Sequence, residues 1–361
     1  MRKFNTTGPC FPDEHYMLPA LDRLPGIRKL VADGNYFVVH APRQTGKTTA
    51  LKALAREINE KGDMFAIYCT LETIQSCVGN NEKAMHGIRH LVLKNAEVIR
   101  ELAPLVDEII DHKPSKEVST VVMDVLQDLC VKASKPIAVF FDEADCLVGD
   151  VLNLFFRQLH DGYVNRKEIP FLKSVALVGM MDVRGYKAQI GSDGESLDQI
   201  SPFNIIHKDM LIPNFSESDI RALYAQHTIE TGQVFADGVV EEVWRLTHGQ
   251  PWLVNAIACE CVEEIHGYQY DEAITVADVE AAKESIITKN PVHLDYLFYM
   301  MRHPRVEPIF KSILDGSLSE EERQTKEFRF ITRLGLFREE GNGFEFSIPV
   351  YERYWEIEKC I

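Results

Sequence analysis

Strands alternating with helices up to about residue 212, helices alone from Ser216, and helices with a hairpin towards the C-terminus predict an α/β protein in three parts. Residues 1–212 read as a core wound on a parallel sheet, 213–290 as a helical lid and 291–361 as a winged-helix domain. Three observations carry this. A short apolar run at 36–39 breaks into a small-residue loop and then a helix. The apolar run at 137–141 is unbroken, as a strand buried on both faces requires, and 64–69 and 171–181 read as further buried strands. Two short alternating runs flank Gly341-Asn342-Gly343, the signal of a β-hairpin.

Taken in order, residues 1–35 form a lead-in with turn chemistry at Gly8-Pro9, Pro12-Asp13 and Pro25-Gly26, and one short helix expected over Leu18 to Asp33. Tyr36 to Val39 is the first strand, and Ala41-Pro42-Arg43-Gln44-Thr45-Gly46-Lys47-Thr48 follows it. Strand, loop and helix in that order are the context of a phosphate-binding P-loop. Pro42, Arg43, Gln44, Thr45, Gly46, Lys47, Thr48 and Thr49 are its candidate nucleotide contacts. Backbone N–H groups there can converge on phosphate oxygens, and the helix N-terminus adds partial positive charge. Lys47 would neutralise the β- and γ-phosphates of ATP, and the Thr48 hydroxyl would ligate Mg²⁺. Ala41 stands where the pattern has its first Gly, and as the next smallest residue it is tolerable.

The helix from Thr48 to Lys61 carries Leu51, Leu54 and Ile58 on one face and stops at Gly62-Asp63. Met64 to Cys69 is a second buried strand, and residues 81–133 are largely helical, with breaks near Ala103-Pro104 and Lys113-Pro114-Ser115. The run Ile137 to Phe141 then ends in two adjacent carboxylates. Asp142 is placed to hold the Mg²⁺ shell and Glu143 to polarise the water that attacks the γ-phosphate. An isolated Asp-Glu, with Asp145 continuing it, would read as a solvated loop; the upstream P-loop makes it half of a nucleotide site.

Val151 to His160 reads as a helix and Phe171 to Met181 as another buried strand, ending in Asp182-Val183-Arg184. The Gly/Ser/Asp-rich stretch 187–204 is expected to be mobile. Ser216 with Asp219 is a helix N-cap, and helices run to about Thr231, from Gly238 to Thr247, from Pro251 to about Ile265 and from Thr275 to about Ile287. Three more, over Leu294–Met301, Glu307–Asp315 and Glu320–Leu334, precede the hairpin.

A chain of 361 residues with 45% hydrophobic and 26% charged residues can bury a sizeable core and has an ordinary globular composition. No stretch is apolar over the roughly 18 residues that span a bilayer, and the N-terminus lacks the apolar core of a signal peptide. No membrane role and a cytoplasmic location are therefore expected. The eight cysteines form no pair or cluster at zinc spacing. A net charge of −16 argues against general nucleic-acid binding but leaves room for one local basic face.

These residues resemble the prokaryotic AAA-like ATP-binding proteins of the STAND group of P-loop ATPases. The likeness is carried by Phe4 to Pro9 with His15-Tyr16, by the loop form from Ala41 to Thr49 including its Ala, and by Val178 to Arg184. Ser201 to Ile205, Gln226 to Gln233, Gly249 to Ala256, Arg333 to Leu336 and Ile348 to Tyr351 extend it along the whole chain. The resemblance implies an ASCE-type parallel sheet with lid and winged helix, and slow ATP hydrolysis that works as a switch. It implies that Gln250 and Pro251 of the lid approach the nucleotide and report its state. Met181 occupies a position where the family has a basic residue, and Arg184 could serve instead. Arg157 and Arg166 are candidates for an arginine offered to a neighbouring subunit. Relatives often carry further domains, so any effector is expected to be a separate protein or absent.

Two function classes compete. In one, an ATP/ADP-governed switch engages a protein partner or a second copy of itself. In the other, the winged helix reads DNA. Lys326, Arg329 and Arg333 share a helix with Glu320, Glu321, Glu322 and Glu327, and the wing carries Glu339 and Glu340. From residue 291 onward there are ten Lys/Arg against thirteen Asp/Glu, which favours protein over DNA.

Overall fold

Side chains leave the predicted strands alternately to two apolar faces, and that alternation builds the sheet. The computed structural model describes residues 1–77, 79–111, 117–190, 204–289, 292–341 and 343–358. The chain divides into two units, one made of Ala20–Ala41 and Lys47–Ile212, the other of Met1–Pro19, Pro42–Gly46 and Pro213–Ile361.

The first of these runs α1 (Ile27–Ala32), β1 (Tyr36–His40), α2 (Lys47–Lys61), β2 (Phe65–Thr70), α3 (Asn81–Glu97), α4 (Ala103–Asp111) and α5 (Val121–Lys132). It continues through β3 (Ile137–Asp142), α6 (Gly149–Val164), β4 (Ser174–Gly179), α7 (Val183–Ile190) and β5 (Ile206–Leu211). The five strands are parallel, in the order β2-β3-β4-β1-β5. Tyr36, Val38, Val139, Phe141, Val175 and Leu177 point to one face and pack with the α3–α6 helices. Phe37, Val39, Phe140 and Val178 point to the other, with Ala66, Ala138 and Ala176 making room for Leu51 and Leu54 of α2. Asn59 of α2 closes the outer edge of β2, donating to the Ala66 carbonyl at 2.9 Å and accepting its N–H at 2.8 Å. Buried Gln158 of α6 accepts the Val122 and Met123 N–H groups, satisfying the N-terminus of α5.

Several expectations are corrected. The first helix begins only at Ile27, because Gly26 before it adopts a left-handed φ of 86°. The helix after Asp142-Glu143 runs about four and a half turns, from Gly149 to Val164, beyond the expected His160. Strand β5 was not foreseen: its run Ile206-His207-Lys208-Asp209-Met210-Leu211 is an exposed edge with no apolar signal. The stretch 187–204 begins as the end of α7, and its remainder up to 203 lies outside the described residues, as does the break at 113–115.

The second unit contains α8 (Glu217–Thr231), α9 (Val239–Thr247), α10 (Pro251–Cys259), α11 (Val276–Thr288), α12 (Val292–Met301) and α13 (Glu307–Leu314). Then come α14 (Glu320–Arg323), α15 (Lys326–Arg333), the antiparallel hairpin β6 (Phe337–Glu340) and β7 (Gly343–Phe346), and α16 (Pro349–Glu358). Ser216 and Asp219 form the expected capping box. The helix expected over Glu320–Leu334 is two helices, since the Thr325 hydroxyl caps a new start by accepting the Phe328 N–H at 3.1 Å. The helix after Pro251 passes into a π-helical turn at Glu260–Ile265, where Glu260 takes Lys289 at 2.7 Å. No described helix is long and apolar enough to cross a membrane.

Within this unit the N-terminal segment is bound to α8. Phe4, Tyr16 and His227 stack in one cluster, Gln226 brackets the Met17 backbone, and Arg2 pairs with Glu230 at 3.0 Å. His227 lies between Tyr16 Oη and Gln233 Oε1, and burial holds its imidazole below the ordinary value; burial does the same to His15. On acidification an unfolded chain therefore takes up protons before the native one. This contribution to stability is complete above about pH 6.5 and is lost as pH falls from there towards the depressed native values. Thermal melts between about pH 7.5 and about pH 5.5 should show Tm falling, and His227→Gln should flatten that slope.

Candidate functional site

The loop after β1 and the tip of β3 hold the candidate chemistry. Strand β1 delivers the chain to Ala41, which is buried and donates its N–H to the Gly179 carbonyl at 3.2 Å. Ala41 has no positive φ, so a side chain costs nothing there, whereas Gly46 (φ 90°) and Gln44 (φ 59°) take the left-handed turns. Thr45 fastens the loop by donating to the Pro42 carbonyl at 2.9 Å. Lys47 opens α2, is only 6% exposed, and donates Nζ to the Ala41 carbonyl at 2.9 Å. Its ammonium is thus held at the mouth of the loop.

Asp142 ends β3 and is 1% exposed. Its Oδ2 accepts the Thr48 hydroxyl at 2.6 Å and the Tyr68 hydroxyl at 2.7 Å, and its Oδ1 accepts the Glu143 N–H at 3.0 Å. Burial, together with the Asp142 charge, pushes the Tyr68 hydroxyl well above its ordinary range, so it stays a donor. Glu143 is half-buried with φ 54°, a strained conformation for a residue with a side chain. Lys47, Thr48, Asp142 and Glu143 thus come from two strand ends that are not neighbours, with β4 between them.

Two residues of this arrangement were missed. Tyr68 reads in sequence as one more apolar strand residue. Asp145, which in the sequence only continues the Asp142-Glu143 pair, accepts the N–H groups of Met180 and Met181. Burial raises its carboxyl above the usual range, with Lys47 opposing. Asp145 sits in the middle of the 3-10 turn Ala144–Cys146, and nothing local in the sequence marks that it reaches the end of the neighbouring strand. Met181 points into the core and Arg184 is exposed in the first turn of α7. Arg157 is exposed on α6 beside Asn153, and Arg166 lies far from β3's tip, bonded to the Gly34 carbonyl.

In the other unit, Gly249 (φ 71°) lies so close to Phe215 that any Cβ would collide with its carbonyl. Gln250 caps α10 through Oε1, which accepts the Leu253 N–H at 2.6 Å, and Pro251 occupies the first helical turn. Gln250 is 3% exposed, and its Nε2 has no hydrogen-bond partner among the described residues.

Gly179, at the end of β4, faces Asp145 so closely that a methyl group there would strike the carboxylate. Gly179→Ala should lower stability by about 1–3 kcal/mol, read from the urea midpoint at unchanged slope.

The model of a family described as the AAA-like domain matches residues 21–357. No curated protein matches the chain by sequence. Among solved structures it is similar to the Walker-type ATPase paby2304 of Pyrococcus abyssi, with a TM-score of 0.63 at 15% identity over 98% of this chain and 99% of that one. It is also similar to the Aeropyrum pernix ORC1 protein in complex with DNA (TM-score 0.47, 13% identity, 97% of each chain). The Thermotoga maritima RuvB Holliday junction branch migration motor matches at a TM-score of 0.46 and 9% identity, over 93% of this chain and 92% of that one. With a P-loop, an acidic strand end beyond an intervening strand, and a family match over most of its length, this chain belongs to the AAA-like domain family and is a nucleotide-binding P-loop ATPase.

Proposed function

We propose that this ATPase is a slow regulatory switch of the STAND type, in which ATP or ADP governs the arrangement of a lid (213–290) and a winged helix (291–361) following the core (1–212). The observation that carries the chemistry is the Thr48–Asp142–Tyr68 hydrogen-bond set beside Lys47. Thr48 Oγ1 and the Asp142 carboxylate are hard oxygen donors already adjacent, a set that suits Mg²⁺, the carboxylate holding it through its water shell. When bound with ATP, Mg²⁺ supplies charge neutralisation on the phosphates. Lys47 leaves the Ala41 carbonyl for the β- and γ-phosphates, and N–H groups of residues 43–49 hold phosphate oxygens. Glu143, its backbone fixed by Asp142, orients water for in-line attack on the γ-phosphorus and takes its proton, while the bond from the γ-phosphorus to the β–γ bridging oxygen breaks and ADP leaves with that oxygen. The orphan Nε2 of Gln250, beside Pro251, is a donor suited to sense the nucleotide.

What supports the switch is where Arg43 and His248 are held. The Arg43 guanidinium lies over the Tyr296 ring of α12 at 4.3 Å, and Pro42 is against Gly335 in the turn before β6. His248, strained at φ 44°, donates Nδ1–H to the Ser347 carbonyl at 2.7 Å. Pro42 and Arg43, loop residues that phosphate binding would reshape, are thus tied to the C-terminal elements. A ligand that prefers one arrangement shifts the population towards it.

A protein partner, or self-association, fits the C-terminal surface better than DNA. Arg323 is drawn to Glu320 and Glu339, and Arg338 to Glu340 and Glu345, while Arg329 donates to the Gln324 carbonyl. Cations engaged in this way offer little to phosphates. The site works where ATP and Mg²⁺ are abundant, as in cytoplasm.

Lys47→Ala should abolish measurable ATP binding. Glu143→Gln should bind ATP yet turn it over about 10²–10⁴-fold more slowly. Tyr296→Ala should leave the fold intact and change nucleotide affinity by a few-fold, read by calorimetry. A small-angle scattering profile identical with ATP, with ADP and without nucleotide would remove the switch while leaving the ATPase.

A further inference from the structure

The sheet has a second cleft at its opposite end. Asp33 and Gly34 precede β1, residues 133–136 precede β3, and 170–173 precede β4, and these segments enclose a cavity of about 510 Å³. At about 3.3 Å per residue, the five residues of β1 put some 16 Å between this cleft and the loop beginning at Ala41. A molecule in one cannot touch a molecule in the other.

Its lining is basic in an acidic chain. Lys135, Arg166, Lys167 and Lys173 all face it, against the single carboxylate of Asp33. That carboxylate is already bridged by Lys29 at 2.9 Å, and Asp63, which feels the charge of Lys135, is bridged by Lys61 at 2.6 Å. None of the four cations forms an ion pair among the described residues, although the chain carries a net charge of −16. Four uncompensated charges around one concavity repel each other, and an anion relieves that repulsion.

The cations are also positioned. Arg166 lies over the Tyr163 ring at 3.9 Å, donates one N–H to the Gly34 carbonyl at 3.2 Å and also engages the Tyr36 hydroxyl, which fixes its plane and leaves further N–H groups of its five for a ligand. The Lys173 stem packs along Gly34, and the Lys135 ammonium is poised over the Phe65 ring at 5.1 Å. Cys130 contributes a neutral wall, its thiol pushed up to about 12 by burial.

We infer that this cleft binds a phosphate-bearing small molecule, separate from the nucleotide at the P-loop. A planar guanidinium fork with three ammonium groups suits the several oxygens and multiple charges of phosphate. The volume suits a ligand of mononucleotide size, and an open sheet edge or a flat face for a macromolecule is not what these residues make.

Pyrophosphate is the probe, and the P-loop must be kept out of the measurement. Calorimetric titration of the Lys47→Ala variant with pyrophosphate should give one saturable event that weakens with salt. Adding Lys135→Gln and Lys173→Gln should weaken it by about tenfold or more, as expected for losing charge-assisted bonds. Lys135→Gln alone, a change at a side chain resting on a ring, gives the same direction should the combined variant fold poorly. Citrate titrated alongside separates phosphate recognition from mere attraction of anions. No saturable binding, binding indifferent to Lys135 and Lys173, or citrate binding as tightly as pyrophosphate each overturns the assignment.

Discussion

One hydrogen bond spans the gap on which the site depends. Strands β1 and β3 are separated by β4, so the loop helix and the acidic strand end start about 10 Å apart at the usual strand spacing. The Thr48 hydroxyl reaches Asp142 Oδ2 because α2 leaves the loop over the sheet towards β2 and β3. Tyr68 then holds the same oxygen from β2, and the Glu143 N–H fixes the other. A buried carboxylate is costly unless its oxygens are met by donors, and here three reach it, from α2, from β2 and from its own backbone neighbour. Asp142 therefore sets the height of α2, the side chain of Tyr68 and the backbone of Glu143 together.

Backbone strain marks one junction in each of three segments. Among the described non-glycine residues only four have positive φ, and three of them are Gln44, Glu143 and His248. The first turns the loop, the second ends the acidic strand and the third joins α9 to α10 beside Gln250. Each conformation costs energy that packing elsewhere must hold, and each gives a residue that a small local change can release.

Much of this was legible in the residues, for reasons that can be named. Apolar runs marked β1 to β4 because a strand covered on both faces must be apolar throughout. The edge strand β5, with its exposed His207, Lys208 and Asp209, is invisible to the same rule. The loop and the Asp142-Glu143 pair were readable because backbone N–H groups and carboxylates have one obvious use together. Tyr68 and Asp145 were not, since each acts on a residue far away in sequence. The continuous helix expected to Leu334 failed on a single capping hydroxyl, that of Thr325.

The alanines on the α2 side of the sheet have a mechanical consequence. Ala66 and Ala138 pair side by side, with Ala176 on the next strand, and they form a low floor under Leu51 and Leu54. The thickness of that floor fixes how far the helix rides above the strands, to a tolerance of one methyl group. Variation in this part of the core is then a dial on the loop's geometry: residues that never meet ATP set how closely Lys47 and Thr48 approach it.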